Sequence, residues 1–463
     1  MLMVYTIVYG ISILFYYYRF NFIASGIMIA LAIFLYYYEY KKNRKLINFK
    51  GLFVLGFIGG FGISLLKLSK LSNDYNIITI VAVYLPYFSF GLVEYFSNKY
   101  ICDNSIIKNF CENSFYVKNE NKFDIYFKIV NALFIITFIS FVIEAYKLKF
   151  IPFFTVDVPH AYSTFHVFML HYITMFYVFI PSFSICNYYF NKLSDSKINE
   201  NYERNIKKAN IYIIVSYAYV ITMSLLLVSR SALIISVVIS LFVVIIYRQI
   251  LQEDKSENKV FLINKKDIIS VFTLFLVFVI LYVIITIERA HDVEYLNGIF
   301  EMKNEKMPIF ITQPYMYISH NYENLNYMIE NIKYFTFGRR SLMPYFTLTL
   351  IKKFFPLVTF SLDYVIKTEL STKTIIYDFY YDFGLVGVIL CMGIVGFLGQ
   401  IIEKIAYSVK KSNYFIVLYG LFCYYMIFSF FQTYFSLTDT WVDIIFIVII
   451  CLIVKFSNKS YNI

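Results

Sequence analysis

The chain has 463 residues, 60% of them hydrophobic and only 15% charged, with a mean hydropathy of +0.65. A soluble domain carries about 25% charged residues and could not bury this much apolar surface, so a cytosolic enzyme, a nucleic-acid-binding module and a disordered chain are excluded. The net charge of +11 is read first as membrane topology.

A membrane-crossing helix needs about 20 mostly apolar residues. Twelve stretches come near that length: 2–18, 20–40, 51–69, 76–97, 125–145, 168–190, 210–228, 231–247, 268–287, 384–403, 413–433 and 441–456. Only Arg19 divides the first two, and Arg230 lies between the seventh and eighth, so each pair is expected to form a tight hairpin. With the N-terminus inside, the inner loops hold 24 Lys and Arg and the short outer loops six, which places both termini in the cytoplasm. The expected architecture is an all-α polytopic membrane protein of about 12 transmembrane helices. It is one domain over 1–463, carrying one large outer loop at 288–383. Within that loop, Leu325, Met328, Ile329, Ile332 and Phe335 recur at helical spacing over 323–337. The stretch 346–362, broken by Lys352, Lys353 and Pro356, is expected to lie on the bilayer as an interfacial helix. Cys102 and Cys111 share a loop without CxxC spacing or a nearby His, so neither a metal site nor a disulfide is expected there.

The five histidines all fall on the outer side: His160 and His166 in one loop, His171 just inside the next span, His291 and His320 in the large loop. Acid–base chemistry is therefore sought on that face. The membrane midplane carries no charge, which argues against an ion-coupled pump. Arginines stand at Arg230 in LLLVSRSALII, Arg289 in ITIERAHD, and Arg339 and Arg340 in FGRRSLMPYF. A guanidinium binds phosphate oxygens in pairs and keeps its charge, so four of them near one face could hold a pyrophosphate; snorkelling at the interface is the plainer alternative. Gly384, Gly387, Gly393, Gly396 and Gly399 recur at multiples of three and give one helix a thin face for close packing. Asp378 and Asp382, at the start of that helix, read as solvated caps.

Four stretches, in this order, carry a resemblance: FIPFFTVD followed by HAYSTFHVFMLHY, LLLVSRSALIISVVI, ITQPYMYISHNYENLNYMIE and YYDFGLVGVILCMGIVG. Over roughly 140–405 the chain resembles the bacterial oligosaccharide repeat-unit polymerases of the Wzy type. It departs from that pattern in the first stretch, which has His160 and His166 and no Arg. The resemblance implies a fold similar to the GT-C class and glycosyl transfer on the outer face of the bacterial cytoplasmic membrane. The donor would be a glycan repeat on undecaprenyl pyrophosphate and the acceptor the terminal sugar of another lipid-linked repeat. No cofactor, metal or nucleotide sugar is implied, and no nucleic-acid partner. Membrane lipids are implied partners, and a chain-length regulator is left open. The product would be O-antigen, capsule or exopolysaccharide. On this reading Arg230, Arg289, Arg339 and Arg340 hold the pyrophosphate, and His320 and His291, with Glu288 behind them, are the candidate bases. His160 and His166 would bind sugar or serve as base, while Tyr315, Tyr317 and Tyr377 would stack on sugar rings. Two alternatives stay open: an O-antigen ligase-like glycosyltransferase using the same donor, and a polysaccharide transporter or flippase.

Overall fold

A computed structural model of the chain describes residues 1–100, 123–155, 161, 163–193, 202–253, 298–349, 351–354, 363–408 and 414–459. Helix α1 (Leu2–Tyr17) turns into α2 (Asn21–Asn43) through Arg19, whose φ of 66° reverses the chain within three residues. Helix α3 (Phe49–Ser64) starts at Asn48, whose side chain accepts from Gly51 N, and widens to a π-helix over Val54–Ile58. Next come α4 (Ile77–Tyr100), α5 (Phe123–Leu148), α6 (Leu170–Lys192), α7 (Tyr202–Leu226) and α8 (Arg230–Glu253). Helices α9 (Ile309–Asn331), α10 (Tyr377–Ser408), α11 (Phe415–Ile427) and α12 (Thr438–Lys459) complete the set.

Seven of these are long and apolar enough to cross a membrane: α2, α4, α5, α6, α7, α8 and α10; α1, α3 and α11 are apolar but shorter. The protein is therefore an all-helical polytopic membrane protein. Each apolar stretch read from the sequence falls on a helix except 268–287, which lies outside the described residues. Both expected hairpins are present; the second turns through Val228, at φ 52°.

The chain divides into two compact units. The first comprises Met1–Ser105, Asp292–Glu403 and Phe422–Val442; the second comprises Ile106–His291, Lys404–Leu421 and Asp443–Ile463. In the first, the glycine face of α10 lies on α4. A Cβ at Gly396 would stand 2.6 Å from the Phe90 ring, and Ser89 donates to the Ile389 carbonyl at 2.7 Å. A Cβ at Gly56 would meet the Ile427 carbonyl at 1.9 Å, so α3 approaches the end of α11 backbone to backbone. In the second unit, Tyr414 donates to Asn187 at 2.6 Å inside a ring cluster with Tyr126, Phe183 and Phe190.

The helix of the large loop differs from expectation. It runs Ile309–Asn331 rather than 323–337, opening after Pro308 and closing at Ile332 in extended conformation. It buries Tyr315, His320, Asn321 and Asn324, polar residues that apolar periodicity does not count. Of the stretch 346–362, two short helices are described, Met343–Leu348 and Ile351–Phe354, with Tyr345 and Phe354 exposed; 355–362 lie outside the described residues.

Candidate functional site

The FGRRS turn is pinned to the first turns of α10. Thr336 N donates to the Tyr381 carbonyl at 3.2 Å, and Phe337 N to that of Asp382 at 3.1 Å. The fully buried Asp382 carboxylate then collects four donors from the turn. These are Thr336 Oγ1 and Ser341 Oγ at 2.5 Å each, Ser341 N at 2.8 Å and Arg340 N at 3.1 Å. One carboxylate thus satisfies a tight turn whose Phe337 and Gly338 both take positive φ. Helix α10 breaks immediately afterwards, at Phe383 and Gly384. Gly384, at φ 64° and against the Phe335 ring, is a place where a side chain would be strained on both counts. Asp378 and Asp382 are therefore internal structural carboxylates, which corrects the expectation of solvated caps.

Arg340, presented by this turn, is held by two carboxylates. Its Nε donates to Asp378 Oδ1 at 2.5 Å and its Nη2 to Asp363 Oδ1 at 2.5 Å, with the guanidinium 4.6 Å from the Tyr381 ring centre. Lys373 Nζ reaches the same Asp363 oxygen at 2.7 Å. Burial opposes charge on Arg340, but Asp378 and Asp363 outweigh it and hold the guanidinium above its ordinary range. Burial likewise raises the Asp363 carboxyl, and Lys373 with Arg340 outweigh it and bring it below the ordinary range.

The segment 363–374 runs as a strap from this cluster to α9. Asn324 is its anchor: its amide donates to the carbonyls of Leu370 (2.8 Å) and Thr372 (2.9 Å), and its oxygen accepts from Ile366 N (3.0 Å). Lys367 on the strap pairs with Glu301 at 2.5 Å. One turn before Asn324 lies His320, 1% exposed, with neither ring nitrogen hydrogen-bonded. Burial, then the charge of Lys367, pushes its pKa down to about 4, so the imidazole is neutral at physiological pH. Asn321 Oδ1, Thr374 Oγ1 and Ser429 Oγ are also buried without partners, and Ile375 N ties the strap to the Ser429 carbonyl at 2.8 Å. Buried polar atoms are normally paired, so each of these unpartnered positions calls for a polar ligand or internal water.

The same helix carries a buried ion pair. Lys67 Nζ meets Glu323 Oε1 at 2.6 Å, with the ammonium 3.1 Å from the Tyr75 ring centre. Tyr75 OH and Asn73 N also donate to this carboxylate. Asn326 extends the lock, accepting from Asn76 N and Thr79 Oγ1.

Of the residues singled out from sequence, Arg340 is thus joined through one strap to Asn324, one turn after His320. Arg339, in the same turn as Arg340, is exposed. Tyr315 and Tyr377 are buried. Tyr315 accepts from Leu68 N, and the Tyr377 hydroxyl exchanges hydrogen bonds with the Tyr364 backbone, so both are packed framework residues rather than open stacking surfaces. Tyr317 stands against the Phe431 ring, 5.9 Å between centres. Arg230, in the second unit, is half-buried at the first position of α8. His166, also in that unit, is exposed, with its ring 5.1 Å from that of His171. His171 in turn meets the buried Glu144 at 3.1 Å. His160, Glu288, Arg289 and His291 lie outside the described residues. Sequence reasoning missed Asp363 and Lys373 as members of the cluster, Lys367 as the partner of Glu301, and Glu323 as the partner of Lys67; separations as long as that from Lys67 to Glu323 leave no local signal. Comparison of the chain with protein-family models, with characterised proteins and with solved structures gives no match.

Proposed function

We propose that this chain is a membrane glycosyltransferase. It polymerises undecaprenyl-pyrophosphate-linked oligosaccharide repeats on the outer face of a bacterial cytoplasmic membrane. In this reading it crosses the bilayer about twelve times in a GT-C-like fold, with both termini inside, as the distribution of Lys and Arg favours. The observation that carries the reading is the strap 363–374, which runs from a guanidinium held by carboxylates to Asn324, one helical turn after a buried, neutral and unpartnered imidazole. Polymerisation needs those two functions together: fixed positive charge for a departing pyrophosphate and an acceptor for the proton of the attacking hydroxyl.

The reaction follows from these parts. The acceptor sugar hydroxyl attacks the anomeric carbon of the donor, and the bond from that carbon to the pyrophosphate oxygen breaks. The hydroxyl proton passes to an open nitrogen of His320. The pyrophosphate leaves with the electron pair of the broken bond. Its oxygens take the position of Asp363 on Arg340 and Lys373, because Asp363 is the half-exposed member of that cluster and Asp378 is buried. Arg339 and Arg230 are further cationic candidates for the lipid pyrophosphates.

The test is a surface-glycan gel from a deletion strain complemented with wild type, Arg340→Ala, Arg230→Ala or His320→Ala at matched membrane expression. The reading expects single-repeat glycan in the deletion strain, a restored ladder with wild type, and no ladder with Arg340→Ala, Arg230→Ala or His320→Ala. An unchanged ladder in the deletion strain overturns it. Loss of even the single capped repeat points instead to a ligase or a flippase.

A further inference from the structure

A charged cavity lies at the end of the first unit away from the Lys67–Glu323 pair and takes no part in the proposed reaction. The start of α1, the last turns of α2, the first turn of α3 and the later turns of α4 meet there. Lys50 bridges Glu94 Oε2 at 2.5 Å and Glu39 Oε1 at 3.4 Å, and Lys42 also pairs with Glu94. Tyr87 donates its hydroxyl to Glu39 Oε1 at 3.3 Å. A cavity of about 400 Å³ is lined by Met1, Leu2, Glu39, Lys42, Tyr87 and Glu94, among others. Glu39 is 1% exposed, and its second oxygen, Oε2, has no hydrogen-bond partner.

An unpartnered oxygen on a buried carboxylate calls for a donor, and a charged donor suits it best. The two lysine side chains balance the two glutamate side chains, and the α-amino group of Met1 in the same lining adds one positive charge. It offers both signs: a buried, unpartnered carboxylate oxygen on Glu39, and on Lys42, whose side chain is 38% exposed, an ammonium with donors to spare. Apolar Leu2 and Met3 share the lining, and all four helices that meet here are apolar. A ligand matching this set is zwitterionic, has N–H donors, and carries hydrocarbon.

We propose that this cavity binds the headgroup of an aminophospholipid, its primary ammonium donating to Glu39 Oε2 and its phosphate meeting Lys42. A choline headgroup carries the same charges but has no N–H to give, so the site discriminates by hydrogen bonding rather than by charge. This inference is independent of the glycosyl-transfer reading.

The test is native mass spectrometry of the full-length protein, stripped of lipid and exposed to equimolar phosphatidylethanolamine, its N-methyl, N,N-dimethyl and N,N,N-trimethyl forms, and phosphatidylglycerol, all with the same acyl chains. Retention of phosphatidylethanolamine should exceed that of the trimethyl form by about tenfold, the equivalent of one charge-assisted hydrogen bond, with the sharpest fall at the last methylation. Glu39→Gln should bring the two to the same level, while Lys42→Ala should weaken both alike, since both present a phosphate. Equal retention across the methylation series in wild type overturns the proposal without recourse to any variant. So does preferential retention of phosphatidylglycerol, which would make the lysines a simple basic patch, or an unchanged preference in a folded Glu39→Gln protein.

Discussion

Arg340 Nη2 donates to Asp363 Oδ1 at 2.5 Å, and that same oxygen accepts from Lys373 Nζ at 2.7 Å. The other carboxylate on Arg340, Asp378, is 6% exposed where Asp363 is 50% exposed. The two acids therefore have different parts to play. Asp378 fixes the guanidinium from within, and Asp363 covers its outer side as an exchangeable anion.

Removing the Asp363 charge should open the cluster to other anions. Asp363→Asn is expected to tighten the binding of inorganic pyrophosphate by about fivefold, since competition by a partly exposed carboxylate is worth about 1 kcal/mol. Arg340→Ala in the same background should abolish the gain. Calorimetric titration of pyrophosphate into the detergent-solubilised protein measures both, and equal affinity in wild type and Asp363→Asn counts against exchange at this position.

Asp382 acts on a different quantity, the shape of the turn. Four donors converge on it, two of them the backbone amides of Arg340 and Ser341. Asp382→Asn keeps the volume but turns one acceptor oxygen into a donor facing donors. A loss of about 2–4 kcal/mol is expected, seen as a lower Tm in detergent, and Asp382→Ala should lose at least as much. A Tm unchanged in both would mean that the turn is held by its packing alone.

The helices were legible because apolar length is a local property of the sequence. Both hairpins were legible because one Arg in each interrupts a run too long for a single helix. Of the glycine repeat of α10, Gly393, Gly396 and Gly399 do serve close packing, whereas Gly384 sits at the helix break and Gly387 lies against the Phe379 carbonyl of its own chain, uses that a period of three does not reveal. The site was legible only in its unusual residues. Arg340 and His320 attract notice by type, but the acids that hold Arg340 and the strap that runs from it to Asn324, one turn after His320, come from tertiary contacts. Asp378 and Asp382 were misread as solvated because the sequence places them at a helix start and cannot show the FGRRS turn folding over them. Tyr315 and Tyr377 show the converse difficulty: in a chain with 46 Tyr, an aromatic ring says nothing about which face is covered.

His320 makes stability depend on pH. Its folded-state pKa lies at about 4 against an ordinary 6.5, so the unfolded chain binds more protons between those values. The contribution of the neutral buried ring is complete above pH 6.5 and is lost as pH falls through the window from 6.5 towards 4. The full span is worth about 3 kcal/mol. His320→Gln, which does not titrate, should therefore show a smaller drop in Tm between pH 7 and pH 4.5 than wild type. Parallel pH profiles for the two proteins would place the acid-labile group elsewhere.

The Lys67–Glu323 pair offers the sharpest separation between an interaction that stabilises and one that merely must not be broken. Burial raises the Glu323 carboxyl despite Lys67, and burial lowers the Lys67 ammonium despite Glu323. Each group is thus shifted towards its neutral form, so desolvation exceeds the mutual attraction on both sides. A buried pair in that balance is costly to leave half complete and cheap to replace whole. Glu323→Leu alone strands an ammonium against the Tyr75 ring, and Lys67→Met alone strands a carboxylate that keeps the donors of Tyr75 and Asn73. Each single variant should lose about 3–5 kcal/mol, with Lys67→Met the milder because Tyr75 and Asn73 remain as donors. The double variant should recover most of that loss, giving a coupling larger than either single loss between two positions 256 residues apart. Thermal unfolding of the four proteins in one detergent closes the cycle. Additive losses would show that each charge is held by its other neighbours and not by its partner.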